Sequence, residues 1–196
     1  MKEKFVQYFR RTRHKAIVKK LEIRNESKVL DASCQDGSFL SVLFQKGKDE
    51  GKIFDLFGVD IDEVEIEKAK ESFPNFNFSV TKNDSLPFID DSFDLVISSM
   101  TLHHLENPKD SVFEMKRVLK DDGCIYLVDL IAKSRFFYSI LRRFKCPEPY
   151  HFEKFYLLSD VETLLRDNEL KIERVSQVQI PTLGFTSVLV LKITKI

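Results

Sequence analysis

Acidic and small polar residues stand immediately after each apolar run in the first two thirds of the chain. Asp31 closes Val29-Leu30 and opens Ala32-Ser33-Cys34-Gln35-Asp36-Gly37, and Asp60-Ile61-Asp62 follows the run that ends at Val59. Asn83-Asp84-Ser85 comes after Phe76–Val80, and Ser98-Ser99-Met100-Thr101-Leu102-His103-His104 after Phe93–Ile97. A carboxylate at the end of the second run suits a ribose diol, because its oxygens accept from both hydroxyls. His103 and His104 are of the type that removes a proton from a phenol, amine or enol, as are Tyr150 and His151 further on. Cys34, Cys124 and Cys146 are odd in number, far apart and in no CxxC pair. That spacing argues for reduced thiols in a cytoplasm and against a zinc site.

The elements that must carry these residues follow from periodicity. Residues 2–21 hold Phe5, Phe9, Ala16, Ile17 and Leu21 on a basic background, the pattern of an amphipathic helix. Strands are predicted at Lys28–Ala32, Ile53–Val59, Phe76–Val80, Phe93–Ser98 and Cys124–Leu130, the last entered by a turn at Asp121-Asp122-Gly123. Helices are predicted between them: after Gly37 with Phe39, Val42 and Leu43 on one face, over Asp62–Glu71, and after Pro108 with Val112, Met115 and Leu119 inward. Ser159-Asp160-Val161-Glu162 has the spacing of a capping box, and Lys171–Ile180 with Ser187–Ile193 reads as a hairpin. Alternating strands and helices imply a parallel sheet wrapped on both faces, with one antiparallel strand from the hairpin. Ligands of such a sheet bind at the carboxyl ends of its strands.

The chain has 196 residues, 43% hydrophobic and 32% charged, with 31 Lys+Arg against 31 Asp+Glu. That balance excludes a disordered or fibrous protein, and no apolar run approaches a membrane span. The start, MKEKFVQYFRRTRHK, lacks the apolar stretch of a secretory signal. A single domain is expected. There are 18 Phe, no Trp and only 6 Gly.

From residue 28 to about 131 the chain resembles the class I S-adenosyl-L-methionine-dependent methyltransferases, in particular the methyltransferase type 11 group. VLDASCQDG stands where that family has Val-Leu-Asp-x-Gly-Cys-Gly-x-Gly. FGVDIDEVEIEKAK matches the second-strand motif, NDSLPFIDDSFDLVISSMTLHHLENP the third and fourth, and VLKDDGCIYLVDL the fifth strand. The resemblance implies an α/β, Rossmann-like, doubly wound fold: a seven-stranded, mostly parallel sheet with an antiparallel C-terminal strand. It implies S-adenosyl-L-methionine as cofactor. Asp31, Ser33, Gln35 and Gly37 would face its methionine end, and Asp60 its ribose, with Ile61 against the adenine. Asp84 would accept from the adenine amino group beside Ser85, and Ser98 would lie near the sulfonium. The first two glycines of the family loop are Ser33 and Gln35 here, and only Gly37 remains.

The expected organisation is an N-terminal helix over 1–25, a cofactor-binding half over 26–132, an acceptor-site lid over 133–153 and a C-terminal helix and hairpin over 154–196. Residues 1–20 carry eight Lys/Arg and one Glu, and 133–153 five Lys/Arg and two Glu, leaving −10 for the remainder. A basic rim attracts an anionic acceptor. The reading is therefore a cytoplasmic methyltransferase acting on an O, N or C atom of a small anionic molecule, with no membrane partner. A relative that keeps the fold as a binding or regulatory module is one alternative. An RNA methyltransferase is another, opposed by the pI of 6.9 and by Ser98–Thr101 standing in place of an Asn/Asp-Pro-Pro-aromatic run.

Overall fold

The computed structural model describes residues 2–82, 84–136, 139, 156–179 and 187–196. In chain order the elements are α1 (Lys2–Val18), β1 (Ser27–Asp31), α2 (Ser38–Glu50), β2 (Phe54–Asp60), α3 (Glu63–Ser72), β3 (Asn77–Val80) and β4 (Phe93–Ser99). A single 3-10 turn at Leu102–His104 follows, then α4 (Pro108–Val118), β5 (Leu119–Asp129), β6 (Ile131–Ala132), β7 (Tyr156–Leu157), α5 (Leu158–Arg166), β8 (Leu170–Gln179) and β9 (Ser187–Lys195). Seven strands form one sheet in the order β3-β2-β1-β4-β5-β9-β8, in which β9 runs antiparallel to both its neighbours. The expected doubly wound sheet is present.

Alternation along each strand builds two cores. Val29, Leu95, Ile97, Tyr126 and Val128 pack on one face against Ile17 of α1, Leu40 and Leu43 of α2 and Ile66 of α3. Leu30, Val59, Val96, Ile125 and Leu127 pack on the other against Val112 and Met115 of α4 and Val161 and Leu165 of α5. The order reverses between β1 and β4, so a crevice opens at their carboxyl ends. The loops after β1, β2 and β4 all meet there.

Several boundaries differ from the sequence expectation. The fifth strand begins at Leu119, not Cys124, and Asp121–Gly123 forms no separate turn. Those residues are taken up by a register shift, with Phe93 opposite Leu119 and Leu95 opposite Cys124. The first helix stops at Val18 although Leu21 is buried beyond it. Helix α5 starts at Leu158, not after Ser159, because the Asp160 carboxylate accepts the Leu157 N–H at 3.1 Å. The short pairing of Ile131–Ala132 with Tyr156–Leu157 has no counterpart in the sequence reading. Most of the proposed lid, including Tyr150 and His151, and the Pro181–Gly184 connection lie outside the described residues.

Candidate active site at the carboxyl edge of the sheet

The turn after β1 is held by the strands on either side. Ala32 N–H donates to Ile97 O at 2.8 Å and Cys34 N–H to Val59 O at 2.9 Å. Gly37 closes the turn with φ 72°, and a Cβ there would come within 2.8 Å of the Phe78 ring. Only glycine meets both demands. Gln35, where the family has glycine, also takes a left-handed conformation, at φ 47°. Its N–H donates to Asp60 Oδ2 at 2.9 Å, and its side chain points to solvent. The turn keeps a glycine-like shape without a glycine, and Ser33 sits in it at no positive φ.

A left-handed residue other than glycine costs about 1–2 kcal/mol, against which glycine's extra unfolded-state freedom weighs about 0.5–1 kcal/mol. Gln35→Gly should therefore stabilise the fold by about 0.5–1 kcal/mol, read as a higher urea midpoint at unchanged m-value. A lower midpoint would show that the glutamine side chain holds the turn.

Asp31 ends β1 and is buried, accepting from Ser33 N–H at 3.3 Å. Burial pushes its carboxyl up to about 7, and the nearby Asp60 charge adds to this against the pull of the Ser33 hydrogen bond. Asp60 ends β2, and its oxygens take Gln35 N–H and, at 3.1 Å, Asp62 N–H. A carboxylate has about four lone-pair positions, so two remain for a diol. Asp62 caps α3 through Val64 and Glu65 N–H, at 2.9 and 3.2 Å. Beside it the Ile61 side chain is 67% exposed, an apolar surface at the lip of the crevice. Asp84 and Ser85 are exposed in a turn past β3, with Ser85 N–H on Lys82 O at 3.2 Å. Ser98 is buried one residue before β4 ends, and with Ala32, Ser33, Leu105, Ser111 and Met115 it lines a narrow gap between the ends of β1 and β4 and helix α4.

Helix α1 is clamped to this turn. Arg10 pairs with Asp36, whose other oxygen accepts Ser38 N–H at 3.2 Å. Burial works against the Asp36 charge, but the Ser38 and Arg10 contacts outweigh it and hold the carboxyl below its ordinary range. His14 packs edge-on against Phe39, ring centroids 5.1 Å apart, and burial drives its imidazole down to about 3, so it is neutral. The Cys34 thiol is pushed far up by burial and by the Asp31 and Asp60 charges. That excludes it as a thiolate nucleophile.

Of the two histidines, His103 is buried and His104 exposed, their ring centroids 4.0 Å apart. His103 Nδ1 lies 2.7 Å from Asp129 Oδ1, with 4% and 1% of the two side chains exposed. Asp129 ends β5 and also takes Leu130 N–H at 2.7 Å. It was missed in the sequence, although it has the mark that singled out Asp31 and Asp60, an acid closing an apolar strand. Met100, just before these histidines, is held at φ 60° with its N–H on Val128 O at 2.7 Å. The structure therefore gathers Asp31, Ser33, Gln35, Gly37, Asp60, Ile61 and Ser98 along one edge, with His103 at the same edge between β4 and β5. Two roomier hollows among the described residues lie elsewhere: about 760 Å³ between α1, α2 and residues 72–76, and about 610 Å³ near the amino ends of the strands around Arg24 and Asp94.

Residues 30–127 match the family model described as a methyltransferase domain. The uncharacterized methyltransferase YcgJ of Bacillus subtilis is 33% identical over 121 residues, which is 59% of this chain and 46% of that protein. The ubiquinone/menaquinone biosynthesis C-methyltransferase UbiE of Campylobacter jejuni is 24% identical over 119 residues, covering 60% and 51%. The chain thus spans about half the length of these relatives. The crystal structure of Bacillus YcgJ superposes with a TM-score of 0.70 at 22% identity, over 93% of this chain and 99% of that one. Among the described residues no helix is long and apolar enough to cross a membrane. With a family match over half its length and the sheet order described above, the chain belongs to the methyltransferase domain family, the S-adenosylmethionine-dependent methyltransferases of class I fold.

Proposed function

We propose that this chain transfers the methyl group of S-adenosylmethionine to a small anionic acceptor at the crevice between β1 and β4. The observation that carries the reading is the joined pair of strand ends. Asp60 grips the turn through Gln35 N–H and still has accepting capacity, while Asp31 lies buried a turn away. When bound, the cofactor supplies an electrophilic methyl on a sulfonium. Asp60 would take the ribose hydroxyls, Ile61 the adenine face, Asp84 and Ser85 the adenine edge, and Asp31 the methionine ammonium. Ser33, Gln35 and Gly37 would line the methionine arm, and Ser98 would lie beside the sulfonium. The anionic character of the acceptor rests on the excess of Lys and Arg in residues 1–20 and 133–153. His103 and His104 are the described candidates for handling its proton. The unpaired Cys34 and Cys124 support a reducing, cytoplasmic setting.

Incubation with methyl-labelled S-adenosylmethionine and a cell extract tests this. The label should appear in small molecules retained on an anion exchanger. Label in the RNA fraction would favour the nucleic-acid reading. No label at all, with cofactor still bound, would favour a binding module, the reading that Ser33 and Gln35 otherwise prompt.

A further inference from the structure

We propose that the hollow between α1, α2 and residues 72–76 holds single-stranded nucleic acid, with phosphates on Arg11, Lys15 and Lys19 and bases against Phe44 and Phe76. This is a holding site. It lies apart from the crevice at the carboxyl ends of the strands and does not depend on the methyl-transfer reading.

The hollow measures about 760 Å³ and is lined by those three cations and by Phe44, Phe73 and Phe76. Residues 72–76 join α3 to β3 and so lie at the amino edge of the sheet, opposite the crevice. Arg11, Lys15 and Lys19 stand at i, i+4 and i+8, on one face of the helix and about 6 Å apart along its axis. Lys19 is one residue past Val18, but its N–H still bonds Lys15 O at 3.2 Å, so the helical spacing holds. All three are exposed, and none pairs with a described carboxylate. Like charges at this spacing oppose the helix that carries them. Elsewhere cations sit in pairs: Arg24 with Asp122, Lys52 with Glu50, Lys192 with Glu173 and Lys195 with Asp121. The two acids in the hollow are already engaged. Asp49 accepts from the Gln45 amide at 2.8 Å, and Glu50 pairs with Lys46 and Lys52. An unneutralised row about 12 Å long calls for an anion whose charges repeat along its length, not for a single carboxylate or lipid head.

The rings decide which polyanion. Phe73 stacks on Phe76, centroids 5.5 Å and planes 10° apart, and Phe44 meets Phe76 edge-on at 5.4 Å. Phe44 is 41% exposed. Ser72 and Asn75 line the same hollow, exposed, and their side chains bond no described residue. An apolar anchor of an acidic peptide, seated on the rings, would cover that hydroxyl and amide without giving them partners, which is costly. A nucleobase answers both features. Its face stacks on an aromatic ring, and its edge carries donors and acceptors for Ser72 and Asn75. A base on Phe44 displaces the Lys48 ammonium, which stands over that ring at 5.3 Å, and frees it for a phosphate. Single strands are the form whose base faces are open to such contacts.

The test uses the full chain and a fluorescein-labelled oligouridine of about twelve nucleotides, within the span of one stacking groove, followed by anisotropy over a series of salt concentrations. Binding is expected in the micromolar range at low salt. Log K should fall against log salt with a slope near −2, about −0.7 for each of three phosphate contacts. Lys15→Gln should reduce the slope by about 0.7, and Arg11→Gln, Lys15→Gln and Lys19→Gln combined should bring binding below detection. Phe44→Ala should weaken it by about 5- to 100-fold with the slope unchanged. Lys171→Gln, which alters an exposed cation on β8, should leave it as it was. An RNA duplex of the same length hides its base faces and should bind at least about fivefold more weakly. No anisotropy change at about 0.1 mM protein, a slope that survives the triple change, a loss below twofold in Phe44→Ala, or equal binding of the duplex would each overturn the proposal. Displacement of oligouridine by S-adenosylhomocysteine would also overturn it, by putting the strand in the crevice. Tighter binding of oligoglutamate than of oligouridine would overturn it in favour of an acidic protein partner, and tighter binding of phosphatidylserine vesicles in favour of a membrane surface.

Discussion

Asp31→Asn should make the unliganded protein more stable at pH 8 and at the same time a much poorer binder of S-adenosylhomocysteine. Asp31 is buried at the end of β1, and its carboxyl titrates near 7 instead of the ordinary 3.8. Between about pH 4 and 7 the native state keeps a proton that the unfolded chain has released. Stability therefore falls as pH rises through that window and is flat above it. Three units correspond to roughly 4 kcal/mol at most. An asparagine of the same shape retains the acceptor for Ser33 N–H but carries no charge to bury. The gain in Asp31→Asn should be near zero at pH 4 and reach a few kcal/mol at pH 8, read from urea unfolding at the two pH values. Cofactor binding has the opposite sign. An ammonium beside Asp31 favours the carboxylate, so wild-type affinity should rise from pH 6 to 8 with release of a proton, and the variant should lack that rise. A variant less stable than wild type at pH 8 would mean the carboxylate already has a cationic partner.

Asp60→Ala should weaken S-adenosylhomocysteine binding by about 2–3 kcal/mol, roughly 30- to 150-fold, the worth of hydrogen bonds to a charged group. Its two backbone contacts make the effect larger than the loss of a ligand contact alone. Without the carboxylate, Gln35 and Asp62 N–H lose their acceptors at 2.9 and 3.1 Å, and the left-handed Gln35 loses its anchor. Asp60→Asn keeps an acceptor and should fall between wild type and alanine. Calorimetry on the three proteins checks the order, and a loss below threefold in the alanine variant would place the ribose elsewhere.

The sheet was readable because its central strands are continuous apolar runs: Val29-Leu30, Leu95-Val96-Ile97 and Ile125 to Val128 pack against helices on both faces. Asp31 and Asp60 were readable because an acid that closes such a run must face the ligand edge. The same rule reaches Asp129, but its pairing with His103 joins residues 26 positions apart and exists only through the β4–β5 register. The pairing of β6 with β7 involves two residues on each side, too few for any periodicity. The Asp121–Gly123 turn was misread because Asp-Asp-Gly is turn chemistry, whereas here the ladder absorbs it by a shift opposite Asp94. Gln35 is the reverse case. A glycine-to-glutamine change suggests an obstructed loop, yet the backbone adopts the glycine conformation and turns the side chain outward.

Calorimetric titration of the wild-type chain with S-adenosylhomocysteine at pH 8 tests the central claim most directly. The crevice formed by Asp31, Gln35 and Asp60 should bind one molecule per chain, with affinity that falls when the pH is lowered to 6. No heat of binding at millimolar ligand, at either pH, would contradict the account.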